Sequence, residues 1–157
     1  MIKSWKKVFE SDLTNIMSEF KDSMTHPLVL FIEGPVGAGK TTFVKSFVQE
    51  ERSEHELKTT APVQSPSYSL INEYDSILHA DLYRLEKKED LIQLEIPMYL
   101  EDKEFILIEW GERFSREIMR EIGDDFKYYL LKIEMNPALE NTQKFSRNYS
   151  LYRLDDR

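Results

Sequence analysis

The sequence predicts one α/β domain whose sheet is mixed, parallel and antiparallel, and is flanked by helices. Three observations carry that expectation. Leu28-Val29-Leu30-Phe31-Ile32 and Phe105-Ile106-Leu107-Ile108 are short apolar runs of the kind that form buried parallel strands. Stretches with helical periodicity alternate with them. Finally, only Asp75-Ser76 separates the strand-like segment Tyr68–Tyr74 from Ile77–Asp81, and so short a connection requires antiparallel pairing. At 157 residues, without repeats, linkers or low-complexity tracts, residues 1–157 read as a single domain.

Taken in order, Ser11 is a candidate N-cap for a helix whose inner stripe is Leu13, Ile16, Met17, Phe20 and Met24. His26-Pro27 ends it and leads into the first core strand. A second helix begins near Lys40, with Phe43, Val44, Phe47 and Val48 on its inner face. Glu50 to Gln64 is polar and aperiodic, and reads as a long loop. After the hairpin, Leu85 to Leu94 reads as a helix with Leu91 and Leu94 inward. Phe105–Ile108 is the second buried strand. A helix from Arg113 to Ile122, a strand from Tyr128 to Met135 and a last strand near Tyr149 to Leu154 complete the chain.

Between the first strand and the second helix, Gly34-Pro35-Val36-Gly37-Ala38-Gly39-Lys40-Thr41 completes the pattern G-x-x-x-x-G-K-[ST]. Strand, glycine loop and helix follow one another as phosphate binding requires. The fold class is therefore that of a P-loop NTPase. Missing Cβ atoms let backbone N–H groups turn inward as an anion nest, and the helix N-terminus adds its dipole. Gly37, Ala38, Gly39, Lys40, Thr41 and Thr42 are the candidate nucleotide-binding residues. Lys40 is placed to neutralise phosphate oxygens, and the Thr41 hydroxyl to coordinate Mg²⁺.

Turnover needs acids around the metal and the attacking water. Glu109 closes the apolar run Phe105–Ile108, as an acid closes a Walker B strand, and is the candidate metal ligand with Thr41. Asp81 ends the second strand of the hairpin and, with Lys40, is the candidate catalytic residue. Ligands in open α/β sheets gather at the carboxyl ends of strands, which suits Glu109 if its strand lies parallel beside the phosphate-loop strand. His79 shares a strand face with Asp81 and reads as structural, bonding that carboxylate or the nearby loop. Trp110 alternates away from Glu109 and reads as core.

The net charge of −8 argues against a dedicated nucleic-acid surface. The clusters Lys3/Lys6/Lys7 and Lys144/Arg147/Arg153 read as solvated faces. There is no cysteine, so neither a disulfide framework nor thiolate chemistry is in play. With no apolar run long enough to span a bilayer and no signal-peptide pattern, the expected setting is cytoplasmic.

Four segments together resemble the bacterial TsaE (YjeE) family. They are Gly34 to Thr42, Ser65-Pro66-Ser67-Tyr68-Ser69-Leu70, His79-Ala80-Asp81-Leu82-Tyr83-Arg84-Leu85 and Leu107-Ile108-Glu109-Trp110. The resemblance covers about residues 10 to 112. It implies a small ATPase of tRNA threonylcarbamoyladenosine biosynthesis, using ATP and Mg²⁺ and hydrolysing slowly without its partners TsaB and TsaD. That pair modifies adenosine 37 of the tRNA, so tRNA is met only indirectly, and the ATPase resets the complex. The resemblance gives Lys40 and the loop amides to the phosphates, Thr41 and Glu109 to Mg²⁺, and Asp81 to the γ-phosphate. It makes Ser65 to Leu70 a nucleotide-responsive switch. Two departures stand out: Ser67 replaces the usual threonine, and Glu95 stands where the family has glycine. The alternative reading is a small nucleoside or nucleotide kinase, for which Arg113, Arg116 and Arg120 would have to supply a phosphate clamp.

Overall fold

Apolar residues at every position of Leu28–Ile32 can be satisfied only by burial on both faces, and their strand, β2 (Leu28–Glu33), lies at the centre of the sheet. The computed structural model describes residues 1–55, 62–64, 70–142 and 144–154. Their strands form one seven-stranded sheet. In chain order they are β1 (Lys3–Phe9), β2, β3 (Ile71–Tyr74), β4 (Ile77–Asp81), β5 (Phe105–Glu109), β6 (Lys127–Met135) and β7 (Ser146–Leu154), arranged β1-β7-β6-β2-β5-β4-β3. β6, β2, β5 and β4 are mutually parallel, while β7, β1 and β3 are added antiparallel. The mixed sheet expected from the hairpin is thus present, with Asp75 taking the left-handed conformation (φ 51°) in the β3–β4 turn.

Helices cover both faces. α1 (Leu13–Asp22) and α2 (Lys40–Glu54) pack on the face formed by Leu28, Leu30, Ile32, Phe105 and Leu107. α3 (Lys88–Gln93) and α4 (Ser115–Ile122) cover Val29, Phe31, Ile106 and Ile108 on the other. Alternation along β2 and β5 therefore divides one apolar strand pair between two cores. Phe20 joins α1 to its neighbours, its ring 5.1 Å from Trp5 and 4.9 Å edge-on from Phe43.

Several elements differ from the sequence reading for identifiable reasons. β1 was not expected, because its register shifts between Trp5 and Val8, with Lys7 left-handed (φ 53°), and its two buried residues stand three apart instead of two. Ser11 does not cap α1; it lies in a short 3-10 turn, Glu10–Asp12, and the helix starts at Leu13. Glu50–Glu54 belongs to α2, not to a loop. The charges there are paired: Lys21 of α1 bridges Glu51 and Glu54, and Glu51 is only 2% exposed. Of the expected strand from Tyr68, Ile71–Tyr74 is strand and Leu70 is a left-handed residue before it (φ 59°), while Ser65–Ser69 of the expected switch lie outside the described residues.

The helix expected from Leu85 is shortened to α3, its Lys87 N–H held by the Asp90 carboxylate at 3.1 Å. Residues 82–85 instead form a turn. Glu95, a departure from the resemblance, adopts the left-handed conformation (φ 51°).

Two expectations follow. Phe20→Ala should lower unfolding free energy by about 3–5 kcal/mol in denaturant titration, since it empties the junction of three elements. Glu95→Gly should raise it by about 0.5–1 kcal/mol. The left-handed cost of about 1–2 kcal/mol is relieved and partly offset by glycine's greater unfolded-state freedom.

Candidate functional site

The glycine loop leaves β2 at its carboxyl end, and the strands on either side decide what surrounds it. β5 runs parallel to β2 with Ile32 opposite Glu109, and β4 runs parallel to β5 with Asp81 opposite Glu109. Parallel pairing in this register puts the loop and both acids at one edge of the sheet. Backbone bonds lock the junction: Leu82 N–H donates to the Glu109 carbonyl at 3.0 Å, and Trp110 N–H to that of Ile32 at 3.3 Å.

A cleft of about 410 Å³ opens there, large enough for a nucleotide. Gly37, Gly39, Lys40, Thr41, Thr42, Asp81 and Glu109 line it, as do Val36, Tyr83, Trp110 and Arg147. Ala38 stands apart. It is buried beneath the loop, and its N–H donates to the Pro35 carbonyl at 3.0 Å.

The loop's path depends on two glycines. At Gly34 a Cβ would fall 2.7 Å from the Ile133 carbonyl oxygen, a backbone atom of β6 that cannot step aside. Gly39, immediately before α2, has φ 95°, and a Cβ there would press on the Arg147 guanidinium at 3.0 Å.

Lys40 is 5% exposed, and its ammonium donates to the carbonyls of Gly34 (2.6 Å) and Pro35 (2.9 Å). The Trp110 ring centroid lies 3.9 Å from the same nitrogen, in cation–π geometry. Burial holds the Lys40 pKa below its ordinary value, while Glu109, Glu33 and Asp81 pull it back up. Glu33, at the end of β2, is itself pushed up by burial, although its carboxylate accepts from Glu112 N–H at 2.8 Å.

The Thr41 hydroxyl donates to Glu109 Oε1 at 2.9 Å, with Oε2 at 3.3 Å. Asp81 Oδ1 accepts from Tyr83 N–H at 3.0 Å. His79 bonds Glu109 (Nε2 to Oε1, 2.9 Å), which corrects the expectation that it would meet Asp81 or the loop. The neighbouring turn is pinned by Arg113, whose guanidinium donates to the carbonyls of Leu82 (2.8 Å), Tyr83 (3.3 Å) and Leu85.

Two further residues depart from the sequence reading. Trp110 is not core: its φ of 61° breaks strand alternation just after β5 and turns the ring back over Lys40, where Tyr83 packs against it at 5.0 Å. Arg147 is not merely a solvated face. β7 runs antiparallel to β6, pairing Arg147 with Met135, so the start of β7 returns to the edge where the parallel strands end. Arg147 Nε is buried without a hydrogen-bond partner among the described residues. No local sequence signal marks Arg147, but the left-handed step at Trp110 has one weak correlate in the adjacent Gly111.

The model of the family described as "Threonylcarbamoyl adenosine biosynthesis protein TsaE" matches residues 9–145. The chain belongs to the TsaE family. Among curated relatives it is 36% identical over 123 residues to a tRNA threonylcarbamoyladenosine biosynthesis protein TsaE of Nostoc sp. (strain PCC 7120), covering 71% of this chain and 72% of that protein. The protein of the same description from Bacillus subtilis is 35% identical over 97 residues, covering 59% and 56%. In fold the chain resembles the crystal structure of Bacillus subtilis YdiB, with TM-score 0.51 and 22% identity over 95% of this chain and 86% of that one. The family match extends well past Trp110, the last of the motif residues, and takes in β6. Among the described residues no helix is long and apolar enough to cross a membrane.

Gly34→Ala should lower stability by about 1–3 kcal/mol, because the new methyl meets backbone of β6 and the loop must shift to admit it. Thermal unfolding of the variant against wild type measures this directly.

Proposed function

We propose that the chain binds ATP with Mg²⁺ and hydrolyses it slowly, in support of threonylcarbamoyladenosine formation at adenosine 37 of tRNA by a TsaB–TsaD pair. Membership of the TsaE family gives the biosynthetic context. The observation that carries the nucleotide reading is convergence: glycine loop, Lys40, Thr41, Glu109 and Asp81 all border one cleft. A hydroxyl beside two carboxylates is a set of hard oxygen donors, which suits Mg²⁺. Thr41 and Glu109 would hold the cation, and when bound it would offset charge on the phosphate oxygens.

This chain's own groups have distinct tasks in that reading. The loop amides and the start of α2 receive the phosphates. Lys40 exchanges the Gly34 and Pro35 carbonyls for phosphate oxygens, a trade of neutral acceptors for charged ones. Asp81, at the neighbouring strand end, orients the attacking water. Arg147 brings a second cation to the cleft from the opposite side of the loop. A surface carrying net charge −8 suits contact with tRNA through protein partners more than direct binding.

The kinase alternative draws less support. Arg113 would be needed in a phosphate clamp, yet its guanidinium is engaged with three carbonyls of the turn after β4. Phosphate transfer to a panel of nucleosides tests that alternative, and ATPase assay with and without TsaB–TsaD tests the main one. A rate unmoved by the pair would overturn the partner assignment.

Single substitutions divide the roles. Lys40→Ala should weaken ATP binding roughly 10- to 100-fold, the equivalent of a charge-assisted bond of about 1.5–3 kcal/mol, in a protein that still folds. Glu109→Ala should shift the Mg²⁺ dependence of binding. Asp81→Ala should leave binding nearly intact and depress the single-turnover hydrolysis rate. Unchanged ATP affinity in folded Lys40→Ala would remove the nucleotide assignment.

A further inference from the structure

Among the described residues the Glu109 carboxylate has two hydrogen-bond partners, Thr41 and His79, and His79 is not one of the residues assigned to phosphate binding. His79 is 0% exposed on β4, and its Nε2 lies 2.9 Å from Glu109 Oε1. The same oxygen accepts from the Thr41 hydroxyl at 2.9 Å. A carboxylate oxygen accepting at that distance requires a proton on Nε2, which in the neutral imidazole leaves Nδ1 as a lone-pair acceptor. Nδ1 is buried without a hydrogen-bond partner among the described residues. For packing alone, this is a poor residue. Half its hydrogen-bonding capacity is desolvated without compensation, whereas an apolar side chain of similar size would have none to lose.

We infer that His79 is a positioning residue of the candidate metal site: its Nε2–H and the Thr41 O–H converge on Glu109 and fix that carboxylate and hydroxyl relative to each other. This rests on the nucleotide and Mg²⁺ reading of the same cleft. With its proton committed to Glu109, the Thr41 oxygen keeps its lone pairs for a cation. His79 holds the acceptor of that bond in place from the buried side. The backbone supports the arrangement: His79 is opposite Leu107 in the β4–β5 register, two residues before Glu109 and on the same sheet face. Groups that orient metal ligands in this way commonly change metal affinity 10- to 100-fold when removed.

The test uses the full chain with ADP as probe, titrated calorimetrically at a series of Mg²⁺ concentrations and in chelator. His79→Leu should raise the half-saturating Mg²⁺ concentration about tenfold or more, while Mg²⁺-free ADP affinity stays within about twofold of wild type. His79→Gln, whose amide N–H₂ can reach the Nε2 position, should restore most of the loss. Nitrogen-15 NMR of the wild-type imidazole should show Nε2 protonated and Nδ1 bare. An unchanged Mg²⁺ midpoint in His79→Leu, an equal loss with and without Mg²⁺, or the opposite tautomer would each overturn the inference. Should His79→Leu fail to fold, the midpoint of His79→Gln and the wild-type tautomer decide it. If wild-type protein binds no ADP at any Mg²⁺ concentration, it is the nucleotide reading that fails, and the tautomer alone then tests the His79–Glu109–Thr41 arrangement.

Discussion

The register of three parallel strands is the constraint on which the cleft depends. Because β2, β5 and β4 run the same way, with Ile32, Glu109 and Asp81 in adjacent rows, their carboxyl ends stop together. A slip of one residue in β5 would turn Glu109 to the face covered by α3 and α4 and bring an apolar neighbour toward Thr41. That register is specified by burial. Leu28, Leu30, Phe105 and Leu107 must face α1 and α2, while Val29, Phe31, Ile106 and Ile108 must face α3 and α4. Two cores, one on each face, thereby fix the height of a single carboxylate.

Around that edge the chain uses backbone conformations that side chains ordinarily avoid. Trp110 is left-handed directly after β5, and Leu70 is left-handed directly before β3. Each carries a cost of about 1–2 kcal/mol for an L-residue. At Trp110 the return is specific: the ring covers the Lys40 ammonium, and the Tyr83 ring packs against it. Lys40 is thereby held in a largely desolvated nook by two carbonyls and an aromatic face, with three carboxylates contributing favourable charge. In the proposed function these neutral acceptors would give way to the anionic oxygens of a phosphate.

The turn after β4 links the acids to the far core. Arg113 stands at the approach to α4, yet its guanidinium binds the carbonyls of Leu82, Tyr83 and Leu85. Asp81 in turn accepts the Tyr83 N–H. The position of Asp81 therefore depends on the short turn before α4, on the opposite side of the sheet from α2. That connection also engages the Leu85 carbonyl, which a helix beginning there would need for its first turn, and α3 begins only at Lys88.

What the sequence determined by itself was local. A glycine loop between an apolar run and a helical stripe specifies its own strand–loop–helix geometry, and a two-residue connection between strands specifies a hairpin. The placement of Gly34 to Thr42, Asp81 and Glu109 at the ends of strands was legible for that reason, and the family motifs pointed to the same residues. Whatever depended on distant partners was not legible. The bulge in β1 hid a strand whose partner, β7, is more than a hundred residues away. Lys21 turned a polar stretch into the last turn of α2, and the antiparallel return of β7 carried Arg147 to the cleft. His79 showed the same divide. Its strand face followed from alternation, but its choice of Glu109 over Asp81 came from the parallel alignment of β4 with β5. Pattern along a chain fixes which way a side chain points, and only the packed sheet decides what it meets.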